Sequence, residues 1–353
     1  MMEMLTTIKI AEEKTMNKIT TVGLDLAKNV FHAVCCDQHG KIVKKKMLKR
    51  FQVLEYFANF TACLVGMEAC SSAHYWAREF STLGHHVKLI PPQYVKPYVR
   101  GNKNDYNDAL AIAEAVTRPE MRFVSVKTPA QQDIQALHRL RERRIADRTA
   151  LCNQLRGLLA EYGLIMPTGV NVVRKKLPEL MEDGENGLSA LFRRLLFQSY
   201  QHLQELDEQI DLYTQEMQRH SQQNEACQRL QTIPGFGPII SSVFHSVVGN
   251  GEAFQRGRDV SASLGLVPRQ HSSGGKELLL GISKRGDRYL RSLLVHGARS
   301  VVIQAANKDD HLSRWINKLK AERGFNKAVV ALANKLARIG WAVLAHKTEY
   351  KMA

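Results

Sequence analysis

The sequence predicts an α/β domain followed by a longer, mostly helical region. Short β-prone runs separated by turn residues fill the chain up to residue 90, and helix-period stretches alternate with the later ones. Beyond residue 128 the pattern changes to long helical runs. With 353 residues there is room for two or three domains with full cores, and the expected divisions are 17–127, 128–226 and 227–353.

Composition narrows the partner. The chain carries 50 Lys+Arg against 34 Asp+Glu, a formal charge of +16, and its pI is near 9.6. Such a surplus points to a polyanion, most commonly nucleic acid. A basic enzyme without that partner has the same signature. Cys35, Cys36, Cys63, Cys70, Cys152 and Cys227 show no C-x-x-C pairing. They read as scattered core thiols of a reducing compartment and argue against a structural zinc site. Residues 1–14 are mixed and charged, unlike a secretory signal, and Met16 is an alternative start. The apolar run 328–345 contains Lys335 and Arg338, which fits a buried helix better than a membrane span. The expected location is the cytoplasm, with no membrane partner.

Residues 19–26, 30–37 and 41–47 read as strands, and Ala27-Lys28-Asn29 and Gln38-His39-Gly40 between them fit a meander. A helix follows at 50–60, then an apolar strand at 62–67 ending in Glu68. Next come a helix at 72–83 and a strand at 87–90, stopped by Pro91-Pro92. Lys103-Asn104-Asp105-Tyr106-Asn107-Asp108-Ala109 then opens an alanine-rich helix with Asn104 as its N-cap. The order β-β-β-α-β-α-β-α is that of the ribonuclease H-like fold, which includes the RuvC-type nucleases. In such a sheet strands one and four are neighbours, and the last helix packs beside their ends.

That arrangement would gather Asp25, Glu68, Asp105 and Asp108. Asp105 and Asp108, three apart on a helix, share a face at about 5–6 Å between Cβ atoms. Adjacent carboxylates repel and are best tolerated around a cation, and Mg²⁺ takes carboxylate oxygens together with substrate phosphates. Taken singly, the two helical acids could simply complement the helix dipole, and Asp25 and Glu68 could be solvated strand ends. Four acids reaching one sheet edge favour the metal.

A long helix is predicted over 128–162, with Ile134, Leu137, Leu151, Leu155 and Leu158 as core candidates. Arg139, Arg141, Arg143, Arg144 and Arg148 make a basic face that either tracks phosphates or pairs with Glu142 and Asp147. Residues 167–187 read as a mobile connection. A second long helix carries Leu203, Leu206, Ile210, Tyr213 and Met217 at coiled-coil spacing, so the two helices suggest an antiparallel arm. Ile233-Pro234-Gly235-Phe236-Gly237-Pro238 before the apolar run 239–248 has the pattern of a helix-hairpin-helix DNA-backbone binder, with Gly235 and Gly237 at the phosphate, or of a plain tight turn. Residues 264–276 form a polar loop whose two serines could offer a hydroxyl to a phosphodiester, and a basic helix follows with Lys284, Arg285, Arg288 and Arg291.

Taken together, Gly-Leu-Asp-Leu-Ala-Lys, Gly-Met-Glu-Ala-Cys, Lys-Asn-Asp-Tyr-Asn-Asp-Ala, Ile-Pro-Gly-Phe-Gly-Pro and Gly-Leu-Val-Pro-Arg-Gln-His-Ser-Ser-Gly-Gly resemble the motifs of DEDD transposases of the IS-one-ten group. The resemblance runs from residue 19 to 305 and is nearer to the IS-eleven-eleven branch. It implies a RuvC-like domain holding Mg²⁺ on Asp25, Glu68, Asp105 and Asp108, a coiled-coil arm, and a C-terminal transposase domain. It also implies a serine that becomes covalently joined to DNA. That serine is Ser273 by its place before the glycine, with Ser272 as the alternative. The implied partners are DNA, a structured guide RNA, and further copies of the chain in a dimer or tetramer.

Overall fold

A computed structural model describes residues 18–102 and 104–351. Met16 and Lys103 lie outside the described residues. The chain divides between Thr128 and Pro129 into two compact units.

The first unit is built on five strands: β1 (Thr21–Asp25), β2 (Val30–Cys36), β3 (Ile42–Lys49), β4 (Leu64–Glu68) and β5 (His86–Ile90). Their spatial order is β3-β2-β1-β4-β5. The first three pair antiparallel, and β1, β4 and β5 run parallel. Helices α1 (Val53–Ala58) and α2 (Ala73–Thr82) cover one face, α3 (Pro92–Val95) follows β5, and α4 (Asp105–Val116) covers the other face.

The two-residue period of the strands decides what each face receives. Val22, Leu24, Phe31, Ala33, Val65 and Met67 join Phe57, Trp76 and Phe80 in the larger core. The alternate residues, Gly23 and Asp25 on β1, His32 on β2, and Gly66 and Glu68 on β4, face α4. Both glycines are required by close approach: a Cβ on Gly23 would meet the backbone of Ala109 and Ala113, and one on Gly66 would lie 2.8 Å from Val116 Cβ. The helix therefore lies directly on β1 and β4. As predicted, Asn104 caps it, its side chain accepting from the Tyr106 amide at 2.8 Å.

The second unit opens with α5 (Pro129–Ala160), α6 (Val170–Glu182) and α7 (Ala190–Gln223). The long helices α5 and α7 are antiparallel, as the pairs Arg141–Thr214 and Arg148–Asp207 show. Leu203, Leu206, Ile210 and Met217 are buried as the spacing predicts. Leu158 is 43 % exposed, whereas Leu159 is fully buried beside Leu155, so the apolar stripe is offset by one residue from the expected set. The mobile connection expected at 167–187 contains α6 instead. Pro178 and Gly169 hid it, yet Val173 and Leu177 are fully buried in a core with Leu155, Leu159 and Phe192. Arg193 donates to the Met181 and Leu188 carbonyls around the end of α6.

A separate core unites α8 (Glu225–Gln231), α9 (Pro238–Val248), α10 (Gly257–Ser263), α11 (Arg288–Gln304), α12 (His311–Arg323) and α13 (Phe325–His346). Between α10 and α11, β6 (Pro268–Gln270) and β7 (Leu279–Ile282) form a hairpin. Among the described residues α13 is the one helix long and apolar enough to cross a membrane. It lies in this core, burying Leu332, Leu336, Val343 and Leu344. All six cysteines are free thiols, and only Cys70 is exposed.

Candidate active site

Parallel pairing aligns Leu24 of β1 with Met67 of β4, so Asp25 and Glu68 follow side by side at the carboxyl ends of adjacent strands. They point to the α4 face. Because Ala109 sits on Gly23, the first turn of α4 reaches the same strand ends, bringing Asp108 and Asp105 with it. The four predicted acids therefore converge. His32, which sequence reasoning missed, stands opposite Asp25 in the antiparallel register. Its Nδ1 is 3.4 Å from Asp105 Oδ2, and its ring meets Tyr106 edge-on at 4.8 Å. The Nδ1 is buried and makes no aligned hydrogen bond. The signal was available, since Phe31, Ala33 and Cys35 claim the other face and leave His32 on the face of Asp25.

Electrostatics record the crowding. Burial, then the charges of Asp108 and Asp105, raise the Asp25 carboxyl above its ordinary 3.8, while His32 opposes the rise. Burial, then Asp25 and Asp108, raise Glu68 above 4.5. Cys70, just beyond β4, is pushed up by burial and by Glu68 and Asp25. Convergent, partly desolvated carboxylates are an all-oxygen donor set of the kind hard divalent cations take. Their mutual repulsion is what a bound cation would relieve.

In the second unit the serine loop is a hairpin. Ser273 and Lys276 bridge across Gly274 and Gly275, whose φ angles of 55° and 78° fit the two-residue turn that favours glycine. Ser273 thus sits at the exposed tip. The neighbouring Ser272 hydroxyl accepts from Gln270 at 3.0 Å.

The basic residues are dispersed. Arg143 and Arg144 share Asp147, Arg141 donates to Thr214 of α7, Arg148 pairs with Asp207, and Arg139 is exposed. Lys284 and Arg285 precede α11 instead of lying on it. Lys284 has a left-handed φ of 54°, and Gly286 packs so tightly on Ser263 that a Cβ would clash with its carbonyl. Asp287 then caps the helix and Arg288 begins it, so Lys284, Arg285 and Arg288 remain exposed but share no helical face. Arg291 is tied to the Leu264 and Arg285 carbonyls. Gly235 and Gly237 form the tight turn between α8 and α9. Gly235, at φ 87°, lets the backbone of Gly297 in α11 approach, and exposed Gly237 precedes Pro238 at the helix start.

A strongly basic chain with four acids at one sheet edge has the features of a metal-dependent enzyme of nucleic-acid phosphodiesters. Comparison with known proteins gives the family. A DEDD family model described as "Transposase" matches residues 22–164, spanning all four acids and His32. A second, described as "Transposase IS116/IS110/IS902 family", matches 227–313, spanning Ser273. The chain is similar to a "Probable family 20 transposase" of Pseudomonas aeruginosa, 48 % identical over 94 % of this chain and 99 % of the relative. It is 46 % identical to the "Transposase for insertion sequence element IS1111A" of Coxiella burnetii, over 96 % of this chain and 93 % of the relative. With the "Transposase for insertion sequence element IS1328" of Yersinia enterocolitica it shares 43 % identity over 95 % and 99 %. The chain belongs to the IS116/IS110/IS902 family of insertion-sequence transposases. It is a DNA-acting enzyme, and its DEDD family implies dependence on a divalent metal.

Proposed function

We propose that this transposase cleaves and exchanges DNA strands through a covalent serine–DNA intermediate, with Mg²⁺ held by Asp25, Glu68, Asp105 and Asp108. The observation that carries the reading is the convergence of Asp25 and Glu68, at the ends of β1 and β4, with Asp105 and Asp108 of α4 beside His32, on a sheet whose strand order fits a RuvC-like, ribonuclease H-like domain. When bound, Mg²⁺ would polarise the scissile phosphate and stabilise charge developing on the attacking and leaving oxygens. The carboxylates orient one another through the sheet register, and His32 steadies Asp105.

Ser273 supplies the nucleophile. A serine hydroxyl is weak until activated, so its proton must leave as Oγ attacks. The Oγ–P bond forms, the P–O bond to the departing strand breaks, the proton lost from Oγ ends through solvent on that strand's freed hydroxyl, and the phosphoserine conserves the phosphodiester energy. Strands then rejoin without ATP. The exposed hairpin tip supports this role for Ser273, and the Gln270 hydrogen bond to Ser272 argues against its neighbour. Residues 17–127 serve as the catalytic domain, 128–226 as a coiled-coil arm for assembly into a dimer or tetramer, and 227–353 as the transposase domain. The α8–turn–α9 segment acts as a helix-hairpin-helix, with Gly235 and Gly237 on the DNA backbone. Arg139, Arg143, Arg144, Lys284, Arg285 and Arg288 contact nucleic acid, which includes a structured guide RNA, whereas Arg141 is held by Thr214. The cytoplasm is the proposed site of action.

The test is strand cleavage by Asp105→Asn and Asp108→Asn proteins. Each should lose cleavage while binding DNA nearly as wild type, since one carboxylate contributes little to a large basic interface. Normal recombination by either variant in Mg²⁺ would remove the acids from the mechanism. A nuclease using water as nucleophile would also need the acids but leave no protein–DNA adduct.

A further inference from the structure

Away from the four acids, three chemistry-bearing side chains meet where α7 gives way to the α8–turn–α9 segment. His220 lies in the last turn of α7, Cys227 on α8 and His245 on α9. Their ligand atoms all lie within 4.8 Å of one another. The sequence pattern, His-x₆-Cys-x₁₇-His, matches no zinc motif, and the absence of C-x-x-C argued against such a site. Three helices rather than one short loop make the cluster, so spacing could not reveal it.

We infer that His220, Cys227 and His245 bind a zinc-class transition-metal ion that fastens the end of α7 to the α8–α9 segment. Two imidazoles and a thiol are borderline-to-soft donors, which favour zinc-class ions over Mg²⁺ or Ca²⁺. Zn–N bonds of about 2.0–2.1 Å and a Zn–S bond of about 2.3 Å place tetrahedral ligands roughly 3.3–3.7 Å apart. Small side-chain rotations close the remaining distance.

The protonation states of the two histidines fit the role, whereas the thiol must lose its proton to the incoming metal. Burial lowers both histidines, and His245 is lowered further by the charges of His220 and Arg229, so each imidazole is kept in the neutral form that ligates. Cys227 is fully buried and its thiol is pushed up to about 12, despite a hydrogen bond with Ser221. Metal binding would replace the thiol proton, which leaves to solvent as the S–metal bond forms. One turn before His245, on the same face of α9, the Ser241 hydroxyl is buried without a partner.

The consequence is mechanical. Asn224 is both the C-cap of α7 and the N-cap of α8. A metal across this joint would fix the direction of the 34-residue α7 against the segment containing Gly235 and Gly237.

The test uses full-length protein carrying Asp25→Asn and Asp108→Asn, which disables the acidic site, and it is independent of whether Ser273 is the nucleophile. Titration with Co²⁺ should produce a thiolate-to-cobalt charge-transfer band that saturates at about one equivalent and is displaced by Zn²⁺. Cys227→Ala should lose the band while keeping its helical circular dichroism, and His245→Asn should weaken binding by at least about tenfold. No thiolate band in the folded parent, or a band that survives Cys227→Ala, overturns the inference. If Cys227→Ala does not fold, the His245→Asn titration decides: a weakened band supports the site, and an unchanged band or no band in the parent overturns it.

Discussion

A Cβ on Gly23 would fall 2.0 Å from the Ala109 carbonyl oxygen. This close approach makes the acidic cluster possible, because it seats the first turn of α4 against the strand that carries Asp25. Gly23→Ala should push α4 outward, with an overpacking cost of about 1–3 kcal/mol. Thermal denaturation should show the reduced stability, and cleavage should fall further than DNA binding. A variant with wild-type cleavage would mean that α4 tolerates displacement.

His32 faces Asp105 at 3.4 Å and should orient it for the metal. His32→Gln is expected to raise the divalent-metal concentration needed for half-maximal cleavage by about 10–100-fold, the usual cost of removing an outer partner. Metal titration of cleavage measures this. An unchanged midpoint would leave His32 as packing for Tyr106.

Burial and neighbouring charge raise Asp25 and Glu68 in the folded protein above 3.8 and 4.5, their ordinary values when unfolded. Between the unfolded and folded values the folded state holds more protons, so stability falls as pH rises through that window. Metal-free Asp25→Asn protein should therefore be more stable than wild type at neutral pH, and its advantage should shrink as pH falls. Divalent metal should stabilise wild type but not the variant. Thermal scans across pH, with chelator and with metal, check both points; an advantage that grows on acidification would refute the assignment.

Much of the first unit was legible because alternation and turn residues set its strands, and strand order brings Asp25, Glu68 and α4 together. His32 was missed although strand alternation leaves it on the face of Asp25, and register then sets it directly opposite that residue. The α6 helix was obscured by Pro178, although Val173 and Leu177 supply its buried face. Ser273 was singled out by motif, but its hairpin was not, since Gly274-Gly275 fits a flexible loop as well as a tight turn. Lys284 and Arg285 continue the basic pattern of α11, yet tight packing at Gly265 and Gly286 holds them outside it. Most of the arginine face on α5 has partners that neither charge nor spacing alone could settle, such as Thr214 and Asp207 on α7.

Those pairings sharpen the electrostatic expectation. Arg139, Arg143 and Arg144 can swing toward phosphate at little cost, whereas Arg141 is engaged by Thr214. Replacing Arg139, Arg143 and Arg144 with Ala should reduce the slope of log K against log[salt] by up to about 3, near 0.9 for each phosphate that is no longer neutralised. Affinity measured across a salt series tests it, and an unchanged slope would make α5 a solvated face.

The most direct test of the strand-exchange chemistry is the denaturation-resistant protein–DNA adduct. Wild type with Mg²⁺ should form it at Ser273, and peptide mapping should find the nucleotide on that residue. Ser272→Ala should retain the adduct, whereas Ser273→Ala and Asp108→Asn should each eliminate it. Retention by Ser273→Ala with loss in Ser272→Ala would move the nucleophile by one residue. Cleavage by wild type without any adduct would contradict the serine intermediate and favour a nuclease in which water attacks.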